Sequence, residues 1–286
     1  MRVGRIPYIN CYPVYGAIDR GVVALGATLV DGTPTRLNRC MAAGSLDVSV
    51  VSAVEYARCS ERYLLLPDLA ISCEGPVRSV LLFSTRPATE LGGRRLLASR
   101  SSMTSVALLE LLFRNVWHCA PQFVPADAEI SDIARFGEEP HDARLVIGDA
   151  ALLLRARGRG GGPPDVGGGV PSYAHVYDLG AEWQRWTGLP FVFAVWVAQR
   201  TTAVAAALGV HAGLIASRDW GLAHLGVLAE QAARVTRLGR EVCAEYLSGL
   251  DYGLSTAHLA GLTEFYRRLV GLGRVPNGTL VFLPAA

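Results

Sequence analysis

Two apolar runs decide the fold of this chain: GPVRSVLLFS, residues 75–84, and FVFAVWV, residues 191–197. The first is rich in Val and Leu and the second in Val and Phe, which is typical of strands that are buried on both faces. Before the first run, and again between the two runs, short β-like segments alternate with helix-like segments. This pattern predicts an α/β fold in two lobes, with a chain that crosses between the lobes twice.

The predicted division places residues 1–84 and 195–286 in lobe I and residues 85–194 in lobe II, with a ligand cleft between the lobes. The last part of lobe I, after about residue 200, has a mainly helical pattern. Segment 157–169 (RGRGGGPPDVGGG) is predicted to be a surface insertion, because its glycines do not join a strand to a helix. Ligands of open α/β sheets bind beyond the carboxyl ends of the strands, so we expect the functional residues in the loops there.

The composition excludes several classes of protein. All 27 basic residues are Arg, and the absence of Lys excludes ordinary P-loop NTPases and lysine Schiff-base enzymes. A hydrophobic content of 51% with 18% charged residues excludes a disordered chain. A net charge of +2 gives no basic excess of the kind that nucleic-acid binding favours, so we predict no nucleic-acid partner.

The remaining global features predict a cytoplasmic protein without a metal or cofactor. The first residues have no apolar leader segment, and no uncharged run reaches the ~20 residues of a membrane span. The six cysteines are scattered without a CxxC pair, which favours reduced thiols, and the six histidines show no ligand spacing. The sequence does not indicate an oligomeric state.

Candidate residues in lobe I follow three predicted strands. Asn10, in PYINCYP (7–13), offers both a donor and an acceptor to a ligand, or shapes the turn. Cys11 has no nearby His, which favours a buried thiol over a nucleophile. Ser52 opens a helix and can bind an anion, or form a capping box with Glu55. Ser79 is predicted to face the cleft from a strand over 77–83, with Arg78 on its opposite face.

Candidate residues in lobe II lie at two junctions between a strand and a helix. The segment SRSSMTS (99–105) clusters hydroxyls at a helix N-terminus, where they bind an anion or cap the helix. Asp149 follows a strand and either caps the next helix or binds a ligand hydroxyl.

Taken together, these segments resemble one family, the chorismate dehydratases of the futalosine route to menaquinone. The resemblance runs from residue 3 to about residue 199, and Ala53 departs from it where a second Ser is expected. The similar segments are the YIN loop, GTPTRLNRCMAAGSLDVSVVSAVEYAR (32–58), GPVRSVLLFS (75–84), SMTSVALLELLF (102–113), LVIGDAAL (145–152) and DLGAEWQRWTGLPFVFAVWV (178–197). The resemblance implies a fold similar to type II periplasmic binding proteins, a lyase activity on chorismate and no cofactor.

The resemblance also implies roles for the candidate residues. Asn10 is the expected catalytic residue, since it would hold a substrate carboxylate or the leaving hydroxyl while a substrate carboxylate removes the C3 proton. The expected substrate-binding residues are Tyr8, Ser52, Ser79, Ser101, Ser102, Met103, Thr104, Ser105 and Asp149. Two alternatives stay open: the related lyase that forms 1,4-dihydroxy-6-naphthoate, and a cytoplasmic protein that binds a small carboxylate without turnover.

Overall fold

Two five-stranded mixed sheets organise the chain in a computed structural model, which describes residues 1–158 and 172–284. The first sheet has the order β2-β1-β3-β10-β4 and contains β1 (Arg2–Arg5), β2 (Thr28–Asp31), β3 (Val48–Ser52), β4 (Tyr63–Cys73) and β10 (Phe191–Gln199). The second sheet has the order β7-β6-β8-β5-β9 and contains β5 (Val80–Ser84), β6 (Arg95–Ser99), β7 (Gln122–Ala126), β8 (Ala143–Ile147) and β9 (His175–Asp178). The chain therefore passes between the sheets twice, before β5 and before β10, and the predicted two crossings are confirmed.

Helices flank both sheets and fill the C-terminal part of the chain. Those in the first two thirds are α1 (Tyr12–Asp19), α2 (Pro34–Ala42), α3 (Ala53–Arg58), α4 (Met103–Asn115), α5 (Gly148–Gly158) and α6 (Leu179–Thr187). The predicted helical C-terminus is confirmed as α7 (Val204–Ala223), α8 (Leu225–Thr236), α9 (Arg240–Ser248) and α10 (Thr256–Gly271). Short 3-10 helices are Ile9–Cys11, Ser60–Arg62, Ala88–Glu90 and Ile130–Arg135. None of the helices that the structure describes is long and apolar enough to cross a membrane.

The strand predicted over 77–83 begins later than expected. Arg78 adopts a left-handed conformation, with φ of 64°, and β5 starts at Val80. The carboxylate of Asp178 accepts hydrogen bonds from the backbone N–H groups of Val77, at 3.0 Å, and of Arg78, at 2.6 Å, which fixes this turn. The prediction that Arg78 and Ser79 occupy opposite faces of a strand is therefore wrong, because both lie in the loop before it.

The two crossings also fall earlier than the predicted lobe boundaries after residues 84 and 194. β5 pairs with β8 and β9 in the second sheet, and all of β10 pairs with β3 and β4 in the first. Assignment of the other residues to lobes stays a prediction. Segment 157–169 lies almost entirely outside the described residues, apart from its first two, which end α5. Its prediction as an insertion stays a prediction too.

The central strands are buried along their whole length, which leaves their ends as the places where polar groups can meet a ligand. Every residue of β3, β5 and β8 is buried. Side chains of this kind pack on both faces of a sheet that helices cover. The polar loops that follow β1, β3, β6 and β8 therefore face one another where the two lobes meet.

Candidate functional site

The residues predicted from the sequence come together at the junction of the lobes. The backbone N–H of Ile9, after β1, donates to Oδ1 of Asp149, at the start of α5, over 3.2 Å. The backbone N–H of Val54, at the start of α3, donates to Oγ1 of Thr104, in the first turn of α4, over 3.3 Å. Hydrogen bonds therefore join both strand-end loops of the first sheet to helix starts of the second.

Asn10 leaves a polar atom without a partner at this junction. Its Oδ1 atom is buried and accepts no hydrogen bond among the described residues. An unpaired buried acceptor costs on the order of 1–3 kcal/mol, so such atoms point to a ligand or another missing partner. The adjacent Cys11 is buried, as expected, and burial raises the pKa of its thiol.

Ser52 is held by Asn38 and not by its own helix. Asn38 Nδ2 donates to Ser52 Oγ over 3.0 Å, and the Ser52 N–H donates to Asn38 Oδ1 over 3.0 Å. The predicted capping box with Glu55 is wrong, because the Ser52 side chain makes no cap hydrogen bond. Glu55 instead accepts a hydrogen bond from the hydroxyl of Tyr63 over 3.2 Å, and burial raises its pKa. The hydroxyl proton of Ser52 is left to donate elsewhere.

Ser79 links the loop before β5 to two helices. The hydroxyl of Tyr246, on α9, donates to Ser79 Oγ over 2.8 Å, and the backbone N–H of Gly148 donates to the Ser79 carbonyl over 2.7 Å. Its own hydroxyl proton has only a weak contact, with the Val77 carbonyl at 3.4 Å. Ser79 is 3% exposed, so this proton has no strong acceptor in the protein and little access to bulk water.

At the start of α4, one hydroxyl caps the helix and the others do not. Ser102 caps the helix: its Oγ accepts from the Ser105 N–H over 3.1 Å and donates to Ser105 Oγ over 2.7 Å. Met103 contacts the other lobe, since its sulfur lies 3.1 Å from Asn38 Nδ2. Thr104 and Ser105 are buried and each retains a hydroxyl proton. Ser102 therefore fulfils the capping alternative, while Thr104 and Ser105 stay available to a ligand.

Asp149 does not open its helix, which begins at Gly148, but its carboxylate reaches the other lobe. The side chain is 5% exposed in the structure, and burial raises its pKa to about 7. The N–H of Ile9 opposes this shift, and the negative charge of Glu129 adds to it. The carboxyl group is therefore close to its titration point at neutral pH, where it can donate or accept a proton.

We expect the free energy of unfolding to fall as the pH rises from about 4 to about 7. A raised pKa means that the folded state binds the Asp149 proton more tightly than the unfolded state, so stability is lost when the proton leaves. The loss is at most about 4 kcal/mol. Asp149→Asn keeps an acceptor for the Ile9 N–H and cannot titrate. Urea unfolding at several pH values should show a gap between variant and wild type that widens above pH 4; parallel curves would contradict the prediction.

Glu129 belongs to this site and was missed by the sequence analysis. The hydroxyl of Tyr8 lies 2.9 Å from both of its carboxylate oxygens, and Ser101 Oγ donates to Oε1 over 2.6 Å. The available signal was its place after β7, directly before the 3-10 helix Ile130–Arg135. Acidic residues are common at helix starts, so this signal by itself indicates only a cap.

Metal-ligating groups do not cluster in the part of the chain that the structure describes. Within residues 1–158 and 172–284 no three His, Cys, Asp or Glu side chains are close enough to hold an ion. The expectations of no metal and no cofactor stay predictions. The site as described is a cluster of hydroxyls, one unpaired amide oxygen and two carboxylates.

The fold defines a class of two-lobed proteins. The structure is similar to that of a protein from Archaeoglobus fulgidus, with a TM-score of 0.75 and 19% identity over 96% of this chain and 98% of that one. It is also similar to the alkanesulfonate-binding protein SsuA of Xanthomonas axonopodis pv. citri, with a TM-score of 0.68 and 14% identity over 98% of this chain and 96% of that one. The chain therefore has a periplasmic-binding-protein-like fold, as predicted.

Sequence comparison places the chain in a particular family of that class. Residues 1–270 match the family described as menaquinone biosynthesis, and the chain belongs to it. The chorismate dehydratase of Thermus thermophilus is 31% identical over 253 residues, which cover 85% of this chain and 87% of that protein. The chorismate dehydratase of Campylobacter jejuni is 27% identical over 198 residues, covering 68% of this chain and 66% of that protein.

Proposed function

We propose that this chain is a hydro-lyase that converts chorismate to 3-[(1-carboxyvinyl)oxy]benzoate and water, as the first step of the futalosine route to menaquinone. The observation that carries the proposal is the similarity to a chorismate dehydratase over 85% of the chain at 31% identity. The menaquinone biosynthesis family supports the same conclusion. The fold by itself does not separate an enzyme from a binding protein, because solute-binding proteins share it.

The reaction does not require a strong acid or a strong base from the protein. The C3–H bond and the C4–O bond break, the ring becomes aromatic, and the hydroxide that leaves C4 takes up a proton to become water. Aromatisation supplies driving force, so orientation and charge stabilisation carry most of the catalysis. In this proposal the substrate's enolpyruvyl carboxylate removes the C3 proton and passes it to the hydroxide that leaves C4. Asn10, whose amide oxygen is buried and unpaired, holds the leaving hydroxyl through that oxygen or the carboxylate through its amide N–H groups.

The hydroxyls that retain a proton suit the two carboxylates of the substrate. Ser52, Ser79 and Thr104 already accept hydrogen bonds from Asn38, Tyr246 and the Val54 N–H, so each can direct its own proton to a ligand oxygen. Ser105 is similarly placed. A chain without Lys can bind anions through such hydroxyls and through backbone N–H groups at helix starts.

The partner and the cellular location of the protein follow from the proposed reaction. The substrate is a small, doubly charged metabolite, and the partner we propose is chorismate itself. Chorismate is a biosynthetic intermediate of the cell interior, so we place the protein in the cytoplasm. Neither a membrane nor a nucleic acid has a part in this function.

The deciding experiment incubates the purified protein with chorismate and follows the loss of one water by mass spectrometry. We expect a product with the mass and retention of 3-[(1-carboxyvinyl)oxy]benzoate, at a rate proportional to protein concentration. Tight binding of chorismate without product would identify a binding protein and overturn the proposal. The same assay with the later pathway intermediates tests the 1,4-dihydroxy-6-naphthoate-forming activity.

A further inference from the structure

The Glu129 carboxylate collects hydrogen bonds from both lobes. The Tyr8 hydroxyl, in the loop after β1, lies 2.9 Å from each carboxylate oxygen, and Ser101, before α4, donates over 2.6 Å. Asp132 in turn accepts a hydrogen bond from the Glu129 N–H over 2.9 Å. Tyr8 and Ser101 both donate to the Glu129 carboxylate, which acts as an acceptor only.

This arrangement decides what the two hydroxyls can offer to a ligand. A hydroxyl has one proton and two lone pairs. The protons of Tyr8 and Ser101 are already committed to a carboxylate, which is a stronger acceptor than a neutral oxygen. Towards a ligand both oxygens can therefore only accept, unlike Ser52 and Thr104, whose protons have no acceptor among the described residues, and Ser79, whose proton has only the weak contact with Val77.

The Tyr8 ring is held so that its hydroxyl cannot easily turn away. A Cβ atom at Gly148 would lie 3.0 Å from Tyr8 Cδ2, so the ring packs directly on the glycine backbone, which has φ of +62°. Burial and the adjacent Glu129 charge raise the pKa of Tyr8, so the phenol keeps its proton at every physiological pH. The negative charge of Glu129 also disfavours a second carboxylate at this corner.

We propose that Glu129 is a positioning residue that makes Tyr8 and Ser101 hydrogen-bond acceptors, so that this corner of the cleft selects the hydroxyl group of the substrate and not its carboxylates. The inference rests on the proposed function and refines it. Ser101 was expected to bind a substrate carboxylate. Because its hydroxyl already donates to Glu129, it can only accept a hydrogen bond from a ligand, so we assign it, together with Tyr8, to the C4 hydroxyl. The carboxylates are left to the donors Ser52, Ser79, Thr104 and Ser105.

The test compares a ligand that has the hydroxyl with one that lacks it. Glu129→Gln keeps the size of the side chain but adds N–H groups, which compete for the lone pairs of Tyr8 and Ser101. We expect KM for chorismate to rise about tenfold, because a buried hydroxyl loses its acceptor. The Kd of the product, which has both carboxylates but no hydroxyl, should stay within about twofold of wild type by calorimetry. Glu138→Gln, on the exposed surface after the same 3-10 helix, is the matched control.

A structural role for Glu129 would give a different result. If the residue only holds the lobes together, KM for chorismate and Kd for the product should rise by the same factor, and the proposal is overturned. Unchanged values for both ligands overturn it as well. Tyr8→Phe gives a second route if Glu129→Gln does not fold: the same selective rise in KM for chorismate is expected, with the Kd of the product unchanged. Wild-type protein that fails to turn over chorismate would contradict the proposed function itself.

Discussion

Asn10→Ala is expected to lower kcat for chorismate dehydration by about 10²- to 10³-fold, the range for removing one preorganised polar group from an active site. Asn10 Oδ1 is buried at the junction of the lobes and has no hydrogen-bond partner among the described residues. An amide in this state is oriented for a ligand before the ligand arrives, so little reorganisation is needed during the reaction. The measurement is steady-state turnover of chorismate, with product quantified by mass.

Two controls separate catalysis from binding and folding. Asn277→Ala changes an exposed Asn in the C-terminal segment and should leave kcat unchanged. The Kd of the product for Asn10→Ala should change much less than kcat if Asn10 acts mainly in the transition state. Near-normal turnover by Asn10→Ala would remove Asn10 from the mechanism.

The sequence predicts the strands that keep a simple pattern and fails where a strand is interrupted. β4 was missed because YLLLPDLAISC contains Pro67 and Asp68, and a proline inside a run argues against a strand. In the structure β4 lies at the edge of its sheet, where proline is tolerated, and Asp68 has φ of 52°. The pairing with β10 breaks between Leu65 and Ala70, so the strand continues past an irregularity that no local pattern marks.

The positions of the candidate site residues could be predicted from local sequence patterns, but their hydrogen-bond partners could not. Local signals located the strand-end loops with Asn10, Ser52 and Asp149, since side chains at these positions lie at one edge of a sheet, but they placed Ser79 inside a strand. Their hydrogen-bond partners are distant in sequence: Tyr246 is 167 residues from Ser79. Such pairs depend on how the lobes meet, and a single sequence carries no local pattern for that. The sequence therefore predicts a capping box between Ser52 and Glu55, whose side chains in the structure bind Asn38 and Tyr63 instead.

Gly221→Ala is expected to reduce the free energy of unfolding by about 3 kcal/mol or more, because the added methyl group would overlap backbone atoms that cannot move easily. A Cβ atom at Gly221, near the end of α7, would lie 2.1 Å from the carbonyl oxygen and 2.6 Å from the Cα atom of Pro13. Pro13 is in α1, three residues after Asn10, so α7 sets the position of the helix that follows the loop with Asn10. Any folded Gly221→Ala protein should therefore also lose turnover.

Gly209→Ala provides the matched control on the same helix. Gly209 is exposed, and a Cβ atom there would have no neighbour within 4 Å. Alanine is favoured over glycine in a helix by about 1 kcal/mol, so this variant should be as stable as the wild type or more so. Urea unfolding of both variants measures the difference, and chorismate turnover of each shows whether α7 supports the site through α1. Equal stability of the two variants would mean that α1 can move away from α7 at little cost, and the support that we assign to this helix contact would not exist.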